Sequence, residues 1–254
     1  MNSPSLPPST CIRIGTAGWS IPRASAAAFP GIGSHLERYS RALPCAEINS
    51  NFSRSPRAST YARWISSVPE YFRFSVKAPR AITHEAALAA APAHLQAFLD
   101  QARSLSAKLG PILFQLPPGL AFDPTRAELF FTTLRNLYSG PVVVEPRHPS
   151  WFEPTPNSLL NRLQIARAAA DPARVPSAAS PGASPAHVYF RLHGSPRTYY
   201  SSYSDEFLSD LAAKLASHTP TAAEVWCIFD NTASGAAAAD ALRLSDNLRS
   251  KNLL

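Results

Sequence analysis

Short apolar runs alternate along the chain with longer stretches in which apolar residues recur every three or four positions. The short runs have the length and β-branched content of buried strands, and the longer stretches have the spacing of amphipathic helices. We predict strands at residues 12–16, 46–49, 73–77, 112–116, 142–145, 165–169, 188–192 and 225–229. The clearest helices are predicted at residues 95–109, 126–137 and 205–216.

Eight strand-then-helix units predict a parallel sheet, and eight strands can close into a barrel. We therefore predict the α/β class and a TIM-type (β/α)8 barrel that occupies residues 11–254 as a single domain. The alternative is an open doubly wound sheet, for which a Gly-x-Gly-x-x-Gly motif after a strand is expected, and this chain contains none. Residues 1–10 are predicted to form a disordered N-terminal segment.

The sixth crossover of the predicted barrel departs from the pattern. Prolines at positions 172, 176, 181 and 185 prevent a regular helix, so we predict a loop or a very short helical turn there. Two helix starts are marked more clearly. Asp123 followed by Pro124 indicates an N-cap and a first helical residue, and the acidic stretch that begins at Ser204 indicates another N-terminus.

The charge balance of the chain is basic. Lysine and arginine outnumber aspartate and glutamate by 24 to 17, which is a net charge of +7 with neutral histidine. This balance favours anionic partners such as nucleic acid or phosphorylated metabolites, although the same charge can serve solubility alone.

The three cysteines have no C-x-x-C spacing, which argues against a disulfide framework and against a thiolate zinc site. The N-terminus does not follow the signal-peptide pattern, and no apolar run is long enough to cross a membrane. We therefore expect a reduced, cytoplasmic protein with no membrane partner. The sequence does not specify its oligomeric state.

The period of two along each strand predicts which polar side chains point into the barrel. In the strand at 73–77, Phe74 and Val76 form the face against the helices, so Ser75 and Lys77 point inward. The same rule places further polar side chains inside, near the C-terminal strand ends where such barrels bind ligands. They are Glu47, Asn49, Gln115, Glu145, Arg147, Tyr189, Arg191, His193 and Asp230.

The charged members of this inward set balance one another. The acidic ones are Glu47, Glu145 and Asp230, and the basic ones are Lys77, Arg147 and Arg191. An unpaired charge in a barrel interior costs several kcal/mol. Two interpretations account for the balance: a salt-bridge network that closes the top of the core, or a site for a charged ligand.

Several segments in this order resemble the YecE-like family (domain of unknown function 72). They are GTAGW (15–19), EINSNF (47–52), FSVKAPRAITH (74–84), LGP (109–111), FQLPP (114–118), VEPRHPSW (144–151), YFRLHG (189–194) and FDNT (229–232). Because they run over nearly the whole chain, the resemblance implies a TIM-barrel fold. It implies no reaction, since the family is named for lacking one.

From these observations we select two groups of site residues. The candidate catalytic residues are Glu47, Lys77, Glu145, His193 and Asp230. The candidate ligand-binding residues are Trp19, Asn49, Arg80, Gln115, Arg147, His148, Arg191 and Asn231. We assign no residue as a metal ligand and no cofactor as required, although a divalent metal would be compatible with Glu145, His148, His193 and Asp230.

The candidates are compatible with more than one chemistry. Two of the three carboxylates could hydrolyse a glycosidic bond, unless neighbouring cations depress their pKa values. Lys77 could form a Schiff base if burial or a cationic neighbour lowered its pKa.

An anionic ligand fits the largest number of features. Cations and histidines fall at strand ends or in the loops after them: Lys77, Arg80, His84, Arg147, His148, Arg191, His193 and Arg197. Aromatic residues are interleaved with them: Trp19, Phe52, Trp151, Tyr199, Tyr200 and Tyr203. Bases can stack on such rings while arginine and lysine take the phosphates. Two hypotheses follow: a phosphate-binding or nucleic-acid-binding barrel, with hydrolase activity left open, or a carbohydrate-type isomerase or glycosidase.

Overall fold

A parallel sheet that closes into a barrel organises the chain. The computed structural model describes residues 11–49 and 56–253, so the predicted disordered segment 1–10 lies outside the described residues. The strands are β1 (Cys11–Ala17), β2 (Cys45–Ile48), β3 (Arg73–Lys77), β4 (Leu109–Gln115), β5 (Val142–Glu145), β6 (Ala166–Arg167), β7 (Ala169–Asp171), β8 (Gly182–Ala183), β9 (His187–Leu192) and β10 (Glu224–Phe229). Their order in the sheet is β7-β9-β10-β1-β2-β3-β4-β5-β6-β8.

The barrel has eight strands, because β6 and β7 are two halves of one strand and β8 is a short antiparallel addition that pairs with β6. β6 pairs with β5, and β7 pairs with β9, both in parallel. Between the halves, the backbone N–H of Ala168 still donates to Val144 O at 2.9 Å. The predicted strand at 165–169 is therefore present but divided, and the predicted (β/α)8 barrel is confirmed.

Helices cover the outside of the barrel. They are α1 (His35–Ala42), α2 (Ala58–Ser66), α3 (Pro92–Arg103), α4 (Pro124–Leu137), α5 (Pro154–Arg162), α6 (Asp205–Ser217) and α7 (Ala236–Ser250). Within the described residues, none of these helices combines the length and the apolar character needed to span a lipid bilayer.

The sixth crossover is the irregular one, as predicted. It holds a 3-10 turn at Pro176–Ala179 and the short strand β8, which pairs antiparallel with β6. The predicted N-cap of α4 is also confirmed, because the Asp123 side chain accepts from Arg126 N at 3.0 Å. Ser204 caps α6 in the same way, from Phe207 N at 3.2 Å.

The predicted helix at 95–109 was wrong at its C-terminal end. α3 begins at Pro92 and ends at Arg103. Ser106 has a φ of +50°, which ends the α-helical path, and β4 begins at Leu109. The apolar spacing continues past this break because Leu105 still packs in the core beside the helix.

Strand alternation divides the core into two parts, as the period of two predicts. The outer core lies between strands and helices and contains Phe74 and Val76. The inner core fills the barrel with Cys45, Leu113, Val143, Ala166, Ala168, Tyr189, Trp226 and Ile228. The Trp226 ring stacks on Tyr189 at 6.2 Å. This aromatic layer closes the barrel below its C-terminal end, where the polar side chains lie.

Candidate functional site

Charged side chains from the C-terminal ends of five barrel strands meet above the aromatic layer. We call this set the rim cluster, and its members are Glu47, Lys77, Glu145, Arg147, Arg191, His193 and Asp230. Four of them end or nearly end β2, β3, β5 and β9, and the other three follow β5, β9 and β10 within two residues. The structure therefore brings together all five residues predicted as catalytic, with Arg147 and Arg191 from the predicted ligand set.

Arg191 is the centre of the rim cluster. Its Nε donates to both oxygens of Glu47, at 3.2 and 3.0 Å, and its Nη2 donates to Glu47 Oε1 at 2.8 Å. The same guanidinium reaches Glu145 Oε2 at 3.2 Å and Asp230 Oδ2 at 3.0 Å. One arginine thus pairs with all three buried carboxylates of the cluster. This geometry supports the salt-bridge interpretation for Glu47 and Arg191.

A neutral hydroxyl group completes the contacts of Glu47, and a second hydroxyl contacts the first. Tyr189 donates to Glu47 Oε2 at 2.9 Å, and the Ser75 hydroxyl lies 2.9 Å from the Tyr189 oxygen. Strand alternation predicts that both side chains point into the barrel, but neither is among the predicted site residues. The missing signal was spatial, because only the closed barrel shows that Tyr189 lies against Glu47.

His193 lies between an acid on one side and an acid–base pair on the other. Its Nδ1 is 3.0 Å from Asp230 Oδ2, and its Nε2 is 2.9 Å from Glu145 Oε1 and 2.6 Å from Arg147 Nη2. A guanidinium can only donate, so the contact with Arg147 is satisfied when Nε2 carries a lone pair. The carboxylate of Glu145 can only accept, so its contact with the same nitrogen is satisfied when Nε2 carries a proton. Asp230 also can only accept, so Nδ1 carries a proton and donates to it in either state.

The acids of the rim cluster are held in their charged form. Burial alone would raise the pKa of Glu145, but Arg147, His193 and Arg191 outweigh it and hold that pKa well below its ordinary value. Burial opposes ionisation of Asp230 as well, yet Arg191, His193 and Lys77 lower its pKa. A carboxylate in this state is a poor proton donor, so the geometry does not suit Glu145 or Asp230 as a general acid.

Only part of the rim cluster reaches solvent. Lys77, Arg147 and Asp230 keep 7%, 8% and 7% of their surface exposed, whereas Glu47, Glu145, Arg191 and His193 are fully buried. We call the opening at the three partly exposed residues the mouth. Two cations and one acid therefore face an incoming ligand, and the remaining acids lie beneath them.

Two buried polar atoms near the mouth have no hydrogen-bond partner among the described residues. They are the Nε of Arg147 and the Oδ1 of Asn49. Leaving a buried donor or acceptor without a partner costs about 1–3 kcal/mol. One atom is a donor and the other an acceptor, so a ligand that satisfied both would need an acceptor and a donor of its own.

Two other predicted ligand residues, Gln115 and Arg80, lie at or after the ends of barrel strands. Gln115 ends β4, is half-buried and lies in register with Glu145. Arg80 is exposed in the segment after β3 and pairs with Glu85 at 3.4 Å. The ligand-binding role of these two stays a prediction.

Three predicted ligand residues have structural contacts that do not involve the rim cluster. Trp19 packs edge-on against Trp64, at 4.9 Å between ring centroids, in the outer core. His148 Nδ1 accepts from Ser150 N at 3.3 Å and so caps a 3-10 turn. Asn231 is buried and donates to Ser201 O at 2.8 Å. The structure does not bring these three into the rim cluster.

The segment between β9 and α6 carries the exposed aromatic residues of the rim. Tyr199 and Tyr200 are 44% and 43% exposed. The Tyr199 ring meets His193 edge-on at 5.8 Å, and the Arg197 guanidinium lies 3.9 Å from the centroid of Tyr200. Of the other aromatic residues in the predicted set, Trp151 and Tyr203 are buried, so they cannot stack on a ligand, and Phe52 lies outside the described residues.

Comparison with known proteins identifies the family. The profile described as "Protein of unknown function DUF72" matches residues 13–253. The chain belongs to the DUF72 family. It is similar to the UPF0759 protein YecE of Escherichia coli K12, 32% identical over 142 residues, and to the UPF0759 protein YunF of Bacillus subtilis 168, 28% identical over 151 residues. These matches cover 56% of this chain and 50% and 53% of the two relatives, so the chain spans about half the length of the curated relatives it matches.

Solved DUF72 structures have the same fold. A DUF72 family protein from Enterococcus faecalis V583 superposes with a TM-score of 0.79 at 24% identity, covering 94% of this chain and 95% of that one. A DUF72 family protein from Thermotoga maritima MSB8 gives 0.77 at 24% identity, covering 94% and 99%. The similarity confirms the barrel and carries no statement about a ligand.

The suggested metal ligands do not form a metal centre in this DUF72 chain. Across residues 11–49 and 56–253, no three side chains of the His, Cys, Asp and Glu types are arranged to hold an ion. The geometry gives the reason, because His148 is engaged with Ser150 while Arg191 and Arg147 cover the oxygens of Glu145. What the described residues offer instead is a mouth with cationic donors.

Proposed function

We propose that this DUF72 chain binds a phosphate-bearing ligand at the mouth of the barrel. One observation carries the proposal: Arg147 stands at the opening with a buried Nε that lacks a partner among the described residues. The planar guanidinium of arginine can donate parallel hydrogen bonds to phosphate oxygens. Each hydrogen bond to a charged group contributes about 1.5–3 kcal/mol. A phosphate oxygen would supply the missing acceptor.

The surroundings of Lys77 and Arg80 support an anionic ligand. His84 follows them in the segment after β3, and burial, then the charges of Arg80 and Lys77, lower its pKa. The contributions of Arg80 and Lys77 to this shift indicate that two cations lie near His84 on that side of the mouth. On another side, the exposed pair of Arg197 and Tyr200 could hold a phosphate and stack on a base or sugar.

A hydrolytic activity is a natural extension of this proposal. If a ligand phosphate draws Arg147 away, a neutral His193 ring with its proton on Nδ1 toward Asp230 would have its Nε2 lone pair released from that contact, beside Glu145. That arrangement orients an imidazole as a general base for water. The carbohydrate-type alternative is less well supported, because Glu47 and Glu145 are buried and paired with arginine.

Binding measurements test the proposal. We would titrate the protein with inorganic phosphate, a nucleoside monophosphate, and fluorescently labelled single- and double-stranded oligonucleotides at low salt. Phosphate-bearing probes should bind, and Arg147→Met should weaken them at least about tenfold, as expected for loss of about 1.4 kcal/mol. Arg162→Met, which removes an exposed helix-surface cation paired with Glu128, is the matched control and should bind normally.

The probes also separate the possible sources of the phosphate. Oligonucleotide binding that falls steeply with added salt indicates a nucleic-acid strand, whereas binding of the mononucleotide alone indicates a small ligand. Absence of binding by every probe at low salt, with folded protein, would overturn the proposal.

A further inference from the structure

We infer that Lys77 is a nucleophilic amine that forms an imine with an aldehyde or ketone carbon of the bound ligand. The inference rests on the proposed function for the phosphate and goes beyond it by naming the reactive carbon and the residue that attacks it. The substrate class is a carbonyl compound that carries a phosphate, either an open-chain sugar phosphate or an aldehydic sugar within a strand.

The position of Lys77 is the first observation. It is the last residue of β3 and points into the barrel, at the mouth, with 7% of its surface exposed. The amine is therefore shielded from bulk water yet can be reached from the rim. A carbonyl carbon that entered the mouth with its phosphate on Arg147 would meet Lys77 on the wall of the same opening.

The pairing of the acids around Lys77 is the second observation. Glu47, Glu145 and Asp230 each have an Arg191 nitrogen within 2.8, 3.2 and 3.0 Å. Arg191 thus contacts all three carboxylates, and Arg147 also lies 2.6 Å from Glu145 Oε1. Each acid therefore keeps a contact with a charged guanidinium when Lys77 loses its proton.

The electrostatics of Lys77 agree with this position. Burial, followed by the charge of Arg191, lowers its pKa to about 8, against the opposing charges of Glu47, Asp230 and Glu145. Near pH 8 about half of such amines are neutral, and the neutral form is the nucleophile.

The choice of residue type is a third observation. The chain has only four lysines, at positions 77, 108, 214 and 251, among 24 lysines and arginines in total. The other cations of the rim cluster are arginines, whose guanidinium stays charged and cannot attack a carbonyl. The mouth therefore carries one primary amine in a charged cluster otherwise built with arginine.

The step balances without an oxidant or reductant. The lone pair of neutral Lys77 Nζ attacks the carbonyl carbon, and the C–N bond forms as the π pair moves to oxygen. The two nitrogen-bound protons are transferred to that oxygen, directly or through water, and the C–O bond breaks to release water. The product is the imine, which draws electrons from the adjacent carbon.

Two neighbours suit a sugar phosphate in this position. Arg147 would hold the phosphate, as proposed above. The Oδ1 of Asn49, which has no partner within residues 11–49 and 56–253, is an acceptor just after β2, the strand next to β3. It could accept a hydrogen bond from a hydroxyl beside the carbonyl carbon.

Borohydride trapping tests the inference. The purified chain is incubated with glyceraldehyde 3-phosphate, with glyceraldehyde, or with an oligonucleotide that carries an aldehydic abasic sugar, and sodium borohydride reduces any imine to a stable secondary amine. Intact mass followed by peptide mapping should show one adduct per chain, on Lys77. Labelling should rise with pH to half its maximum near pH 8.

Two lysine variants test whether the adduct forms on Lys77. Lys77→Arg keeps the charge and should lose the adduct, whereas Lys214→Arg, at an exposed site on α6, should keep it. Peptide mapping of the adduct on the wild-type chain identifies the labelled lysine even if Lys77→Arg folds poorly. No adduct on Lys77, or equal labelling of all four lysines, overturns the inference. If glyceraldehyde and glyceraldehyde 3-phosphate label Lys77 equally, the nucleophilic amine is supported and the phosphate site is contradicted. If phosphate binds but no adduct forms on Lys77, the phosphate site is supported and the nucleophilic amine is contradicted.

Discussion

Arg191 and Glu47 form a fully buried, bidentate ion pair across the interior of the barrel. The guanidinium donates through Nε and Nη2 to both oxygens of the carboxylate, at 2.8 to 3.2 Å. The two residues lie on β9 and β2, which are separated in the sheet by β10 and β1. The pair therefore joins strands that are not hydrogen-bonded neighbours, and it fixes the guanidinium that also reaches Glu145 and Asp230.

Loss of this guanidinium should strongly destabilise the fold. Arg191→Met leaves three buried carboxylates without their shared cation, and breaking a buried ion pair in this way costs about 3–5 kcal/mol. We expect the free energy of unfolding, measured by urea denaturation, to fall by at least about 3 kcal/mol, with soluble protein reduced.

The control for this change is the exposed pair of Arg162 and Glu128. Arg162→Met should alter the free energy of unfolding by no more than about 1 kcal/mol. Adding Glu47→Gln to Arg191→Met should recover part of the loss, because one stranded charge is removed. Wild-type stability of Arg191→Met would contradict the structural importance of the pair.

The decrease in the free energy of unfolding at acid pH should depend on Glu145. Its folded pKa is depressed below the ordinary value of 4.5, because the effects of Arg147, His193 and Arg191 outweigh that of burial. Such a group contributes stability that is fully present above its unfolded pKa and is lost as pH falls through the folded pKa. The free energy of unfolding should therefore decline below about pH 4.5, and more gently in Glu145→Gln than in the wild type.

Urea denaturation at several pH values between neutrality and pH 3 measures this slope. Glu128→Gln, at an exposed position, serves as the control and should keep the wild-type slope. Identical acid limbs for Glu145→Gln and the wild type would show that Glu145 is not ionised preferentially in the folded state.

Tyr203 should hold the segment between β9 and α6 in place. Its hydroxyl accepts from Gly194 N at 2.8 Å and donates to Asp171 Oδ1 at 2.9 Å. Tyr203→Phe leaves a buried N–H without its partner, at a cost of about 1–3 kcal/mol. Amide hydrogen exchange should quicken in residues 194–204, whereas exchange in β1 should be unchanged. Tyr200→Phe, at an exposed hydroxyl, should leave both regions as they are, and unchanged exchange in Tyr203→Phe would refute the anchoring role.

The N-terminus of α4 offers a prediction that is independent of the site. Asp123 caps Arg126 N at 3.0 Å, and replacing such a cap with alanine costs about 1 kcal/mol. Asp123→Ala should lower the free energy of unfolding by that amount and leave phosphate binding unaffected, whereas Asp123→Asn should retain most of the stability. A loss of binding in Asp123→Ala would mean that the helix start influences the mouth.

The sequence determined the barrel, the irregular sixth crossover and the set of inward charges. These depend on short-range properties: side chains alternate along a strand, and proline cannot continue a helix. For this reason the alternation of side chains along the strands predicts that Lys77, Arg191 and Asp230 point into the barrel. The break after Arg103 escaped prediction, because Leu105 keeps the apolar spacing although the helix has ended.

Only the tertiary structure decided how the inward charges are paired. Arg191 and Glu47 are 144 positions apart, and their contact exists because the barrel closes. The same closure showed that Arg191 serves three acids at once, and that Arg147 and Lys77 reach the mouth. Sequence parity specifies the face of a strand, but the distances across a barrel depend on all the strands together. Those distances separate a buried salt-bridge centre from the cations that remain open to a ligand.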